Sequence, residues 1–246
     1  HVVALHFDLV EENVKQRVLN DLVALLKKND MHLTTGFIGT PYLCRALSDN
    51  GADDAAFRIF FQEDYPSWLY EVIMGATTIW ERWNSILPDG MISGTGMNSL
   101  NHYAYGSIME WMYRNVCGII PLEEAPGFKA FKIKPQFYGK LTYCQGEVKT
   151  AMGRIKSSWT RDTHEHITVT VTVPFNTQGE VTLPSANLSD VVVTGGTYQS
   201  ATQVDDQAVY QLLPGTYTFS YTATKVYTQT YSLMTPLYEL RANPAT

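Results

Sequence analysis

The sequence predicts a helical part followed by an antiparallel β-sandwich. Three observations lead there. From His1 to about Gly118 apolar residues recur at helix spacing, as in Val14, Val18, Leu22, Leu25 and Leu26. From Pro126 onward the period becomes two, with Ile167, Val169, Val171 and Val173 alternating with Thr168, Thr170 and Thr172. Turn residues such as Asn176 to Gly179 and Pro214-Gly215 punctuate the second part at sandwich-like intervals.

Taken in order, HVVALHFDLV reads as helical. The next helix opens at Glu11-Glu12 and closes at Lys27-Lys28, the charge order that the helix dipole favours. Shorter helices are expected from Tyr42 to Asp49, stopped by Asn50-Gly51, from Asp53 to about Gln62, and from Trp68 to Met74. A last one should run from about Asn101 to Asn115, ended by Gly118. The loops 34–41, 64–67 and 75–100 are rich in glycine and aromatics and too long for a simple four-helix bundle. In a helical barrel such connections gather at one mouth and form the site.

Strands are expected at 128–133, 146–149, 154–160, 167–173, 180–183, 190–193, 208–213 and 217–222. The chain therefore divides into 1–125, helical, 126–225, sandwich, and a weakly patterned tail, 226–246.

At 246 residues, 45% hydrophobic and 17% charged, the chain can bury a real core. Its net charge of −6 is uneven, about −8 before Pro126 and +2 after it. With no run of Lys or Arg, neither nucleic acid nor an anionic membrane is the expected partner, and no apolar run approaches a bilayer span. A neutral ligand fits this balance. Cys44, Cys117 and Cys144 lack metal-type spacing; the first two lie in apolar helical patterns and read as buried free thiols, which suits a reducing, cytoplasmic compartment. The N-terminal residue is His rather than Met, and the chain opens as if inside a helix, so a truncated start is expected and no leader can be read from it.

The segment 75–106 carries the chemistry. It sets Glu81 between Trp80 and Trp83, then runs through a glycine-broken loop to Asn98, Asn101, His102, Tyr103 and Tyr105. Indole faces suit the C–H surfaces of a sugar, amides and imidazole suit its hydroxyls, and a carboxylate can move the protons of glycosidic cleavage. Desolvation between two indoles would raise the Glu81 pKa and improve it as a base. The rival reading pairs Glu81 with Arg82 or makes it a helix cap. Trp68, Trp80 and Trp83 read either as a sugar platform or as core, and His102 as a hydroxyl ligand, an orienter of Glu81, or a cap. Glu63 and Asp64 read as a second carboxylate or as turn residues; Asp89, in Pro88-Asp89-Gly90, reads as a turn residue.

Other motifs lead nowhere. His164-Glu165-His166 lacks a third ligand at useful spacing, Gly94-Thr95-Gly96 completes no dinucleotide fingerprint, and no nucleophile elbow occurs. No cofactor or metal is expected.

TGFIGTPYL (35–43), EDYPSWLYEVIMGATTIWERW (63–83) and MNSLNHYAYGSIMEWMYR (97–114) resemble the bacterial α-L-rhamnosidases of glycoside hydrolase family 78. PGFKAFKIKPQ (126–136) resembles the join to that family's C-terminal β-sandwich. The resemblance runs from ALHFDL (4–9) to about Thr222. It implies the last part of an (α/α)6 barrel and hydrolysis of terminal α-L-rhamnosides with inversion. By motif match Glu81 would be the general base, and Trp68, Trp80 and His102 would line the rhamnose pocket. Nothing here matches the family's acid-rich segment with the general acid. The chain alone is therefore expected to be inactive, and its exposed half-barrel to self-associate. A non-catalytic carbohydrate-binding or accessory module and another (α/α)6 glycosidase are the competing readings.

Overall fold

The computed structural model describes residues 1–94 and 96–227. They form two compact units that divide between Asn115 and Val116. The division falls ten residues ahead of the join expected from the change of period, because a short strand, β1 (Ile119–Pro121), pairs with β2 (Ala130–Ile133) and belongs to the second unit. Three residues are too few to display a period.

The first unit contains α1 (Val2–His6), α2 (Glu12–Lys28), α3 (Thr40–Asp49), α4 (Asp53–Phe60), α5 (Trp68–Ile73) and α6 (Ile108–Trp111). The helix expected over 101–115 is broken. A 3-10 turn, Ala104–Ser107, leads into α6, and a π turn, Met112–Val116, leads out of it. On α2 the buried stripe is Leu19, Leu22 and Leu26, whereas Leu25 is exposed. At about 100° per residue, Leu25 falls on the flank of Leu22 opposite Leu19 and Leu26. Leu43, Ala46, Leu47, Phe57 and Ile59 are fully buried around α3 and α4, with Trp111 of α6 edge-on to Phe57. Trp111 Nε1 donates to Ser48 Oγ at 3.0 Å, which removes the cost of burying the indole N–H. No described helix is long and apolar enough to cross a membrane.

The second unit is two five-stranded sheets. The remaining strands are β3 (Tyr143–Thr150), β4 (Gly153–Arg161), β5 (His166–Val173), β6 (Gln178–Pro184), β7 (Val192–Gly195), β8 (Tyr198–Val204), β9 (Gln207–Leu212) and β10 (Gly215–Thr222). One sheet has the order β1-β2-β6-β9-β8 and the other β3-β4-β5-β10-β7. All pairings are antiparallel except β2 with β6, which is parallel, so the expected antiparallel sandwich contains one parallel pair.

The alternation on β5 and β10 dictates the core. Ile167, Val169, Val171 and Val173 point inward opposite Tyr221, Phe219, Tyr217 and Gly215. The outward threonines pair across the strands, Thr168 with Ser220, Thr170 with Thr218 and Thr172 with Thr216, at 3.1–3.3 Å. Phe219 meets Tyr210 of β9 at a ring-centroid separation of 5.0 Å, one of the contacts that close the two sheets on each other. The expected tail, 226–246, lies outside the described residues from Thr228 onward.

Candidate active site

The site segment is a loop closed at its neck. Glu81 N–H donates to Ser99 C=O at 2.8 Å, Ser99 N–H donates to Glu81 Oε2 at 2.8 Å, and His102 N–H donates to Ile79 C=O at 2.8 Å. The hydroxyl of Thr78 adds a bond to Leu100 C=O. Between these points residues 85–93 double back as a hairpin around an Ile86–Ile92 bridge, with Leu87 N–H on Met91 C=O. The turn is made by Asp89, whose Oδ1 accepts Met91 N–H at 3.0 Å, and by Gly90 at φ +82°. Asp89 is thus a turn residue.

Glu81 is half-buried at this neck. Its Oε2 is held by Ser99 N–H, and among the described residues Oε1 accepts no hydrogen bond and the carboxylate makes no ion pair. Arg82, the rival partner, points away and bonds Gly96 C=O. Glu81 also flanks no described helix, since α5 ends at Ile73 and the next helical turn begins at Ala104, so it caps none.

The three indoles are buried. Trp68, Trp80 and Trp83 retain 5%, 2% and 7% exposure, so they pack as wall rather than as an open platform. Trp83 lies flat on Tyr105 at 3.8 Å and 10°, Trp68 meets Trp83 edge-on at 5.2 Å, and Trp68 Nε1 is spent on Tyr105 C=O at 2.9 Å. The exposed rings are others. Tyr103 is 87% exposed and stacks on His102 at 5.0 Å, and Phe37, from the loop before α3, stacks on the same imidazole at 5.2 Å. His102 Nδ1 accepts Ala104 N–H at 3.3 Å, which leaves Nε2 to carry the ring proton as a donor.

Of the amides, Asn98 is turned into the loop, with Nδ2 on Gly94 C=O at 2.8 Å, while Asn101 is exposed. Glu63 is half-buried and Asp64 exposed, both in the turn before α5. His164-Glu165-His166 is a structural corner: Glu165 forms a buried ion pair with Arg161 at 3.0 Å, and Asp162 Oδ1 accepts the N–H groups of His164 and His166.

One residue of the site escaped the sequence reading. Glu71 of α5 is 2% exposed, and its Oε2 accepts Trp80 N–H at 3.2 Å. Burial pushes its pKa up to about 7, against the opposing pull of that N–H. Its Oε1 has no partner among the described residues. The signal was its spacing: Glu71 follows Trp68 by three positions and so shares its buried helix face. An apolar cavity of about 280 Å³ lined by Val2, Leu22, Leu26 and Leu43 shares no lining residue with this cluster.

Residues 1–116 match the family described as bacterial alpha-L-rhamnosidase 6 hairpin glycosidase domain, and residues 118–198 match the bacterial alpha-L-rhamnosidase C-terminal domain. The chain is 43% identical over 194 residues to an alpha-L-rhamnosidase of Alteromonas sp. (strain LOR), covering 79% of this chain and 21% of that protein. It is 38% identical over 220 residues to an alpha-L-rhamnosidase of Streptomyces avermitilis, covering 89% and 21%. The crystal structure of the Streptomyces avermitilis alpha-L-rhamnosidase complexed with L-rhamnose is similar with a TM-score of 0.83 at 38% identity, over 90% of this chain and 21% of that one. The chain thus spans about a fifth of the length of the curated relatives it matches.

Proposed function

We propose, because this chain belongs to the bacterial alpha-L-rhamnosidase family, that the whole protein hydrolyses terminal α-L-rhamnosides with inversion at the anomeric carbon. Glu81 is the general base. A water held by its Oε1 attacks C1 on the face opposite the leaving group, the water proton passes to the carboxylate, and the glycosidic oxygen takes its proton from an acid on another part of the protein.

The observation that carries this reading is the fixing of Glu81. Ser99 N–H anchors one carboxylate oxygen and the other is uncommitted among the described residues. A base needs that division, one oxygen to set direction and one to receive the proton. His102 Nε2–H serves a sugar hydroxyl, and Trp68 and Trp80 shape the pocket from behind by packing rather than by an exposed face. The substrate is a rhamnose-containing glycoside.

The test is E81Q in the whole protein, with p-nitrophenyl α-L-rhamnoside as substrate. Turnover should fall by at least about 100-fold with the fold intact. NMR of the first-formed sugar from the wild type should show the anomer opposite to that of the substrate. Near-normal turnover of the variant removes Glu81 from the role, and retained configuration removes the mechanism. Rhamnose binding without turnover in the wild type would favour an accessory module.

Residues 1–246 produced alone hold the base but match no general acid, so they should release p-nitrophenol at no enzymatic rate. Exposed apolar side chains such as Leu25, Val72 and Ile73 should drive that piece to self-associate, a state that analytical ultracentrifugation reads directly.

A further inference from the structure

We propose that Cys117 and Cys144 are a paired redox site, built to close reversibly into an intramolecular disulfide by exchange with a low-molecular-weight disulfide. Their Sγ atoms lie 2.9 Å apart, within hydrogen-bond distance for sulfur. Both thiols are referenced to the same strand. Cys117 C=O accepts Ser157 Oγ–H of β4 at 2.6 Å, and Val116 C=O accepts Trp159 Nε1–H of β4 at 2.8 Å. Cys144, on β3, stands opposite that same Trp159 in the strand register.

Gly118 fixes the chain on the other side of Cys117. Its φ is +80°, and a Cβ there would fall 2.3 Å from Pro135 N. The two sulfurs are therefore brought together by backbone that two hydrogen bonds from β4 and the tight passage at Gly118 hold in place, rather than by a chance rotamer.

The two thiols are unequal. Cys117 is buried at 6% exposure, whereas Cys144 is only half-buried. The hydrogen bond between them pulls the Cys144 pKa down, while that bond and burial push Cys117 up. Cys144 is thus the attacking thiolate and Cys117 the resolving thiol. Cys144 Sγ attacks one sulfur of the soluble disulfide, forming a mixed disulfide and expelling one thiolate, which takes up a proton. Cys117 Sγ then loses its proton and attacks Cys144 Sγ, expelling the second thiolate. Two protein thiols are oxidised and one soluble disulfide is reduced to two thiols.

The bond would tie the segment entering β1, at the edge of one sheet, to β3, at the edge of the other. Cys44 is an internal control: it is buried beside Ala56 C=O, and burial pushes its pKa up to about 12.

The whole protein, equilibrated with oxidised glutathione and then alkylated, should yield in peptide mapping a Cys117–Cys144 linked pair lighter by two hydrogen atoms than the dithiol, with Cys44 alkylated only after unfolding. Dithiothreitol should reverse it, and the oxidised form should melt higher by about 5 °C or more. Cys117→Ser should trap glutathione on Cys144, while in Cys144→Ser the modification of Cys117 should be slower by at least about 10-fold. Two free thiols after equilibration, or a glutathione adduct persisting on Cys144 in the wild type, would overturn the proposal.

Discussion

Glu71 accepts the backbone N–H of Trp80, the residue immediately before the proposed base, at 3.2 Å. A buried carboxyl on α5 thus sets the position of a loop residue nine positions away, and through it the entry to Glu81. Four predictions follow from this and related contacts, all for the whole protein.

Glu71→Gln should change how stability responds to pH. A carboxyl whose folded pKa is about 7, above its ordinary 4.5, holds more protons folded than unfolded between those values. Its contribution therefore declines as pH rises through that window and is flat above it. Thermal melts at pH 5 and pH 8 should show the wild type losing stability relative to E71Q at the higher pH. An equal gap at both pH values would show that Glu71 titrates alike in the folded and unfolded states.

His102→Ala should lower kcat/KM by roughly 10- to 100-fold, the loss of the hydrogen bond proposed between its imidazole and a sugar hydroxyl. The melting temperature should barely move, because the imidazole is half-exposed. Steady-state kinetics beside a thermal melt separates this from a structural role, in which the melt would fall and the kinetics per folded molecule would not.

Trp83→Ala should destabilise the helical unit by about 3–5 kcal/mol. It deletes the ring that stacks on Tyr105 at 3.8 Å and meets Trp68 at 5.2 Å. Denaturant titration reads the loss; a change below about 1 kcal/mol, within the range of a surface substitution, would mean the indole is dispensable to packing.

Gly118→Ala should cost more than about 2 kcal/mol, since it adds a left-handed backbone penalty to a collision with Pro135. Soluble yield and melting temperature compared with Gly127→Ala are the measurement. Gly127 also has positive φ, +76°, but open space around it, so it should show the backbone term alone.

The sequence was readable where a period reached the core. The valines of β5 and the aromatics of β10 announced two inward faces, and the charge order of α2 announced both its ends. It was unreadable where burial did not organise the residues. β8, YQSATQV, is a mostly exposed strand at the edge of its sheet and shows no apolar alternation, so only its pairing with β9 identifies it. The parallel β2–β6 pair depends on a long-range crossover that no local pattern encodes.

In the site, the segment around Glu81 stood out by residue type, and the structure brings Glu81 and His102 to one loop neck. What residue type could not convey was the state of the side chains. Trp68 and Trp80 are covered, while Phe37 and Tyr103 supply the accessible rings beside His102. Glu71 looked like an ordinary helix glutamate until its burial was visible.

The pairing of residues 79–81 with 99–102 braces the neck of the loop beneath an exposed hairpin tip at 88–92. Whatever length or composition evolution or an engineer gives that tip, the backbone pairs at the neck are made without it. A change confined to that tip therefore leaves untouched the Ser99 N–H that anchors Glu81, the proposed base.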